Sequence, residues 1–377
     1  MANNLPPSPP SWPIVGNLPE FLRKKPVAFR WVHLVMKELN TDICLINIAG
    51  TNIIPVSDPA IAREMLKKQD TIFAGRPAFS VGSHGISGGH YMTTVVAPYD
   101  DHLAKMRKVF TSEIVSPARQ KWLHEKCIEE ADNLVFYVNN HSGADKSVNL
   151  RAVTQHYCGN VIRKVMFGKR FFGEATADGG PGPMEIDHVE AVFGALKYLY
   201  SFSVSYYLPF LSGLDLLVQE SDVPSLNYVK ACARESFRLH PLAAFNVPHA
   251  VGYFIPKGSH ALLSRYGLGC NPKVWADPLK FDPERHLQSG EEVVLTEHDL
   301  RFISFSTGRR GCVGALLGSS ITNMLLARLI QCFPWALPGV VEKIELREAE
   351  DELLLASPLI ASATPRLAPH LYPALAK

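Results

Sequence analysis

Phe305-Ser306-Thr307-Gly308-Arg309-Arg310-Gly311-Cys312-Val313-Gly314 is the stretch whose reading decides the fold of this 377-residue chain. It places one cysteine in a glycine-bracketed, doubly basic loop directly ahead of an apolar run. Cysteine ligates and attacks as the thiolate, and its pKa falls near cations and helix N-termini. Arg309 and Arg310 supply positive charge. From Ala315 to Ile330, Leu316, Leu317, Ser320, Met324, Ala327 and Leu329 recur at helical spacing. Cys312 is therefore expected just before a helix start, where unpaired N–H groups favour negative charge. Gly308, Gly311 and Gly314 lack a Cβ, so a flat group can approach the main chain closely. A lone cysteine is more often a buried free thiol. The full spacing of glycines and arginines favours a thiolate that binds a metal.

Bulk properties bound the rest. Hydrophobic residues make up 47% and charged residues 20%, the balance of a globular protein with a large core. The length suits one large domain or two ordinary ones. A net charge of +2 argues against a nucleic-acid partner. Cys44, Cys127, Cys158, Cys232, Cys270, Cys312 and Cys332 form no CxxC pair. That odd, scattered set suggests a reducing compartment, with neither a disulfide scaffold nor a structural zinc site. No run approaches the length of a transmembrane helix, and the polar, then proline-rich N-terminus does not read as a signal peptide.

Along the chain, the prolines of Leu5–Pro19 forbid helix and favour a stiff extended segment, expected as a linker. Val27–Leu39 reads as helix, and Asp42–Val56 as strands turning at Ala49-Gly50. Asp58-Pro59 opens a helix through Ala62, Met65 and Leu66. The middle is mostly helical. Trp122, Lys126, Leu134, Val135 and Val138 form one stripe, and Val153, Tyr157, Val161, Ile162 and Val165 another. Gly173–Pro183 reads as a loop. Val223–Leu239 reads as a helix ended by His240-Pro241. Tyr253–Ile255 and Ala261–Leu263 read as a hairpin around Pro256-Lys257-Gly258. The sum is a mainly α protein with small β-sheets. Glu235 and Arg238 share a helix face. Such a pair is usually a weak surface contact, but Ala231, Phe237 and Leu239 surround it with apolar residues.

The pattern Phe-x-x-Gly-x-Arg-x-Cys-x-Gly resembles the heme-binding signature of the cytochrome P450 superfamily. Trp12–Pro19, Phe73–Pro77, Phe245–His249, Asn271–Trp275 and Pro283–His286 are similar to a plant branch of it that N-hydroxylates amino acids and yields aldoximes. The resemblance implies the cytochrome P450 fold and heme b, its iron ligated by Cys312 in a loop shaped by Phe305, Gly308 and Gly314. It implies heme-propionate partners at Arg310, His249 and Arg107, although Leu103 stands where the family pattern has tryptophan. It implies a buried structural triad of Glu235, Arg238 and Arg285. It further implies an amino acid substrate and electrons from NADPH through NADPH–cytochrome P450 reductase. The expected place is the cytosolic face of the endoplasmic reticulum membrane, or the cytosol, since nothing anchor-like precedes the prolines. No residue is assigned as a catalytic acid or base.

The chain departs from that family in its middle. Gly213–Leu216 runs directly into Leu217–Asp222, where the family carries a long stretch including the central helix over the distal heme face. A second, smaller gap follows His249-Ala250. The expected layout is a proline-rich segment at 1–19 and one heme-thiolate domain at 20–377, with internal deletions near 215–218 and 250–252. Removing a central helix exposes apolar faces of its neighbours, and the distal pocket decides what heme iron does. Weak stability and poor turnover are therefore expected. The alternative to an enzyme is a non-catalytic heme-binding remnant.

Overall fold

The computed structural model describes residues 5–24, 28–76, 94–95, 97–143, 146–171, 173, 176–200, 227–245, 249–250, 259–287, 293–296, 300–339, 343–349 and 355–372. The proline-rich segment is not a free linker. The Leu45 N–H donates to Pro7 O at 2.8 Å, Asn17 Nδ2 donates to Pro10 O at 2.8 Å, and Gly16 bridges to Ile48. Gly16 sits at φ +61°, and a Cβ there would lie 2.3 Å from Asn47 O, so only glycine allows this docking.

Helices α1 (Leu18–Lys24) and α2 (Ala28–Glu38) follow, with Val32, Val35 and Met36 on one buried face of α2. Strands β1 (Ile46–Ile48) and β2 (Thr51–Val56) pair antiparallel, with Ile46 opposite Ile53. Their turn is the expected Ala49-Gly50, both at positive φ (49° and 87°), as a two-residue hairpin of matching twist requires. Helix α3 (Pro59–Arg63) has Asp58 as its cap, accepting from the Ile61 N–H, and proline at its start. It runs on as a π-helical turn, Glu64–Lys68, that buries Met65 and Leu66.

Helix α4 (Asp101–Val109) is capped by Asp100. Helix α5 (Pro117–Asn140), strand β3 (Val148–Asn149) and helix α6 (Leu150–Phe167) come next, α6 ending at Gly168 in the left-handed region. The buried face of α5 is Leu123, Cys127, Ala131, Leu134, Val135 and Val138. That face is turned from the expected stripe: Trp122 is only partly buried, beneath the Arg119 guanidinium at 5.3 Å. Helix α7 (Pro183–Tyr200) begins where only the end of a loop was expected. Helix α8 (Asn227–Leu239) matches expectation, its first four expected residues lying outside the described ones.

Strands β4 (His249–Ala250) and β5 (His260–Leu263) and the short helix α9 (Arg265–Gly269) follow. The expected hairpin arm Tyr253–Ile255 lies outside the described residues. β5 pairs parallel with β2 and antiparallel with β4, giving the sheet order β1-β2-β5-β4. Helix α10 (Ala315–Cys332), strand β6 (Trp335–Ala336) and strand β7 (Ile360–Ala363) complete the elements used below, with a second sheet in the order β3-β7-β6. The expected class, mainly α with small sheets, is the one observed.

One expectation needs correction. α10, with 18 residues of mean hydropathy 1.2, is long and apolar enough to span a bilayer. Here one face of it packs into a core: Ile321, Met324 and Leu329 join Cys127, Val135 and Val138 of α5 and Val153, Tyr157 and Val161 of α6. Beneath this core, Glu130 of α5 is fully buried and meets Lys164 at 2.7 Å and Arg170 at 2.9 Å.

His33 joins α2 to the first sheet. Its Nδ1 faces Phe29 O at 2.7 Å and so carries the proton, while Nε2 accepts from Ser264 Oγ at 2.5 Å. The ring stacks on Phe245 at 5.4 Å. Burial pushes its pKa from 6.5 down to about 4, and burial does the same to His260. Between those values the unfolded chain binds the proton and the folded chain does not. Stability is therefore full above about pH 6.5 and falls as pH drops toward 4, by on the order of 3 kcal/mol for His33 alone. Urea midpoints measured from pH 7 to pH 4 should show this decline, and the His33→Gln chain should show a shallower one.

Candidate functional site

The Cys312 loop is built from the main chain outward. Phe302 and Ile303 are buried and fix its entry. Ser306 (φ 60°) and Gly308 (φ 67°) take left-handed conformations, and Gly308–Arg310 forms a 3₁₀ turn. The Cys312 N–H donates to Phe305 O at 2.8 Å, closing the loop, and Gly314 caps α10. The glycines do different jobs. A Cβ on Gly308 would lie 2.1 Å from Leu66 O, so this position makes room for the π-helical turn and not for a ligand. A Cβ on Gly314 would meet Cys312 Sγ first, at 4.0 Å, so this glycine is the one beside the thiol. The Phe305 ring lies edge-on to Phe237 of α8 at 5.9 Å.

Cys312 itself is exposed. Its sulfur is nonetheless crowded by the loop, and this desolvation pushes the thiol's pKa up. The Gly314 N–H, Arg265 and Arg107 oppose the rise. The cations facing the sulfur are thus not the expected Arg309 and Arg310. Arg309 points away, with Nε donating to Asp70 Oδ1 at 3.1 Å and Nη1 to Tyr99 Oη at 2.5 Å. Arg310 is buried and donates to main-chain carbonyls, Nε to Ala74 O and Nη2 to Ala97 O, both at 2.7 Å. Burial, with the neighbouring Arg107, pulls Arg310 down to about 10. Arg107 of α4 donates through Nη2 to Gly311 O at 2.9 Å, tying that helix to the residue before the cysteine. Leu103, one turn earlier, is buried. His249 is placed in β4 opposite Ala261, and its side chain lies outside what is described.

The triad residues come together around one carboxylate. Arg238 donates through Nε to Glu235 Oε2 at 2.9 Å and through Nη2 to Oε1 at 2.7 Å. Arg285 Nε reaches Oε1 at 3.0 Å. Two further partners were not read from the sequence: the Asp282 N–H at 3.0 Å from Oε1 and His286 Nε2 at 2.8 Å from Oε2. The sequence signal for His286 is its place at the end of the Pro283–His286 motif. Burial alone would raise the Glu235 carboxyl, but these hydrogen bonds hold it well below the usual carboxylate range.

This arrangement can hold a metal-bearing group. Among the described residues no cluster of three His, Cys, Asp or Glu side chains could cage a metal. A thiol ahead of a helix, with Arg107 and Arg265 acting on it and Arg310 near Arg107, instead fits a flat cofactor. The sulfur serves its metal and the cations its acid groups. That defines a heme-thiolate protein. Residues 6–210 and 211–361 match the cytochrome P450 family, and the chain belongs to that family. Membership implies a heme whose iron is held by a cysteine thiolate, and electrons delivered by a redox partner. The chain is 49% identical to valine N-monooxygenase 1 of Manihot esculenta, over 98% of this chain and 89% of the relative. It is 42% identical to tyrosine N-monooxygenase of Sorghum bicolor, over 98% of this chain and 88% of the relative. Tryptophan N-monooxygenase 1 of Arabidopsis thaliana is also 42% identical, over 98% and 89%. The first of these alignments runs over 485 residues, more than a hundred beyond the 377 of this chain, so the chain has internal gaps against that relative.

Gly308 offers a direct test of the loop's packing. Alanine there meets both the positive φ and the Leu66 carbonyl. Gly308→Ala should cost about 3 kcal/mol of stability, read from denaturant midpoints, and should lower the heme retained through purification.

Proposed function

We propose that this chain is a heme-thiolate monooxygenase of the amino-acid N-hydroxylating kind, whose reaction leads from an amino acid to an aldoxime. The observation that carries the reading is the intact Cys312 cradle, in a chain similar along 98% of its length to N-monooxygenases of valine, tyrosine and tryptophan. When bound, a thiolate-ligated heme supplies reductive activation of dioxygen. The chain's own residues hold and shield it. Cys312 would hold the iron through its sulfur, and the Gly314 N–H donates to that sulfur. Arg107, Arg310 and His249 would take the propionates. Phe305 walls the loop against Phe237. Glu235, Arg238 and Arg285 act as scaffold and touch no substrate. The electrons come from NADPH through NADPH–cytochrome P450 reductase, at the cytosolic face of the endoplasmic reticulum membrane.

The internal gaps are part of this reading. They lie near 215–218 and 250–252 and divide the single domain that follows the proline-rich segment 1–19. The family match breaks between residues 210 and 211, which supports the first position. A wall missing on the substrate side admits water and loosens substrate placement, so turnover by this chain is weak. The same gaps favour a second reading, a heme binder without turnover.

Heme supply during expression, followed by reduction and carbon monoxide, tests the first half. The parent should give a thiolate-type Soret band and Cys312→Ser should not. Reductase, NADPH and each of valine, isoleucine, phenylalanine, tyrosine and tryptophan test the second half, with aldoxime measured by mass spectrometry. The parent should give little product. A chain carrying the corresponding stretches of the Manihot esculenta relative in the gaps should give more, by about tenfold or greater. A parent without the Soret band overturns heme function, and a restored chain without aldoxime overturns the N-hydroxylase reading.

A further inference from the structure

The Glu235 carboxylate has a side-chain partner beyond its two arginines. His286 Nε2 lies 2.8 Å from Glu235 Oε2, and the histidine side chain is only 4% exposed. Glu235 already faces two guanidiniums, so a third cation there would be unfavourable and the ring serves as a neutral N–H donor. Burial favours the same neutral form.

The imidazole also belongs to an aromatic trio. Trp275 lies at 5.9 Å and Phe302 at 6.1 Å from its centre, and these two rings lie 6.0 Å from each other. Trp275 Nε1 donates to Leu268 O at 3.1 Å and to Arg301 O at 3.2 Å, so the trio holds the main chain at 301–302, just upstream of Phe305. From the other side, α8 carries both Glu235 and Phe237, and Phe237 packs edge-on against Phe305. Two routes therefore run from Glu235 to Phe305: one along α8, the other through His286 and Phe302. Phe305 O is the acceptor that fixes the Cys312 N–H.

We infer that His286 is a positioning residue for the thiolate loop: its N–H to Glu235 and its packing on Phe302 set where Phe305, and with it Cys312, sits. A role in filling space alone would be met equally by phenylalanine. A role through the hydrogen bond would be met by glutamine, whose Nε2 reaches a similar distance. These alternatives separate cleanly and need neither substrate nor turnover.

The test compares the parent, His286→Phe and His286→Gln. In the heme-free folded chains, the rate of Cys312 alkylation by iodoacetamide is followed by peptide mass spectrometry. In the heme-loaded chains, the reduced carbon monoxide spectrum gives the proportion of thiolate-type to thiol-type Soret band, well below the melting temperature. His286→Phe should change the alkylation rate by about tenfold and move the spectrum toward the thiol-type form. His286→Gln should return both toward the parent, to within about twofold. A phenylalanine chain that matches the parent in both measurements overturns the inference, as does a glutamine chain that follows the phenylalanine one. Should His286→Phe fail to fold, the glutamine chain decides alone. Parent-like Cys312 reactivity upholds the inference, and altered reactivity or failure to fold overturns it. Because alkylation is read without heme, its result stands apart from the fate of the proposed N-hydroxylase activity.

Discussion

A carboxylate buried away from water must be paired and hydrogen-bonded or give up its charge, and Glu235 organises the proximal half of this protein around that constraint. Arg238, held opposite it, spends its remaining donors on Gly269 O, Pro278 O and Lys280 O. Arg285 reaches Ala276 O and Lys280 O. Main chain from α8, from the end of α9 and from the 276–286 segment is thus gathered onto one charge cluster. The packing is close enough that a Cβ on Gly269 would lie 2.1 Å from Arg238 O. Buried ion pairs are weak evidence for net stability, but removing one partner typically costs about 3–5 kcal/mol. The network's worth here is that it locks geometry.

That geometry is handed to the thiolate loop in two directions. α8 presents Phe237 to Phe305. α3 and its π-helical turn press Leu66 O against Gly308. Between these supports the loop needs few contacts of its own: the Cys312 N–H to Phe305 O, and Arg107 to Gly311 O. Cys312 is left at the surface, while desolvation of its sulfur raises the thiol pKa and Arg107 and Arg265 pull the other way. A thiol balanced in this way gains from a bound metal, because coordination stabilises the thiolate that the cradle alone does not.

Local features of this fold were legible in the sequence. The Ala49-Gly50 turn, the Asp58-Pro59 helix start and the cysteine ahead of an apolar helix each follow from adjacent residues. The partners of Arg309 and Arg310 were not legible. Asp70, Tyr99, Ala74 and Ala97 lie more than two hundred positions earlier. Only tertiary packing shows that these arginines brace the loop and do not face the sulfur. The start of α7 was hidden for a different reason. Its Pro183 continues a glycine- and proline-rich run, and the helix begins by hydrogen bonds from Glu185 and Ile186 back to Gly182 O inside that run. His286 was missed because its motif was read as a mark of kinship and not as a donor.

The two sides of α10 differ in how completely their polar groups are satisfied. Toward α8, the buried charges of Glu235, Arg238 and Arg285 all find partners. Along α10 itself, Asn323 is fully buried, yet neither of its amide atoms has a hydrogen-bond partner among the described residues. On the neighbouring α6, the Tyr157 hydroxyl is likewise buried and unpaired. A buried polar group left so costs about 1–3 kcal/mol, and burial holds the Tyr157 phenol neutral. The alignment to the valine N-monooxygenase runs more than a hundred positions beyond the length of this chain, while the residues that support its cysteine are present. The contacts that brace the Cys312 loop, from Phe237, Leu66 and Arg107, all come from residues this chain carries.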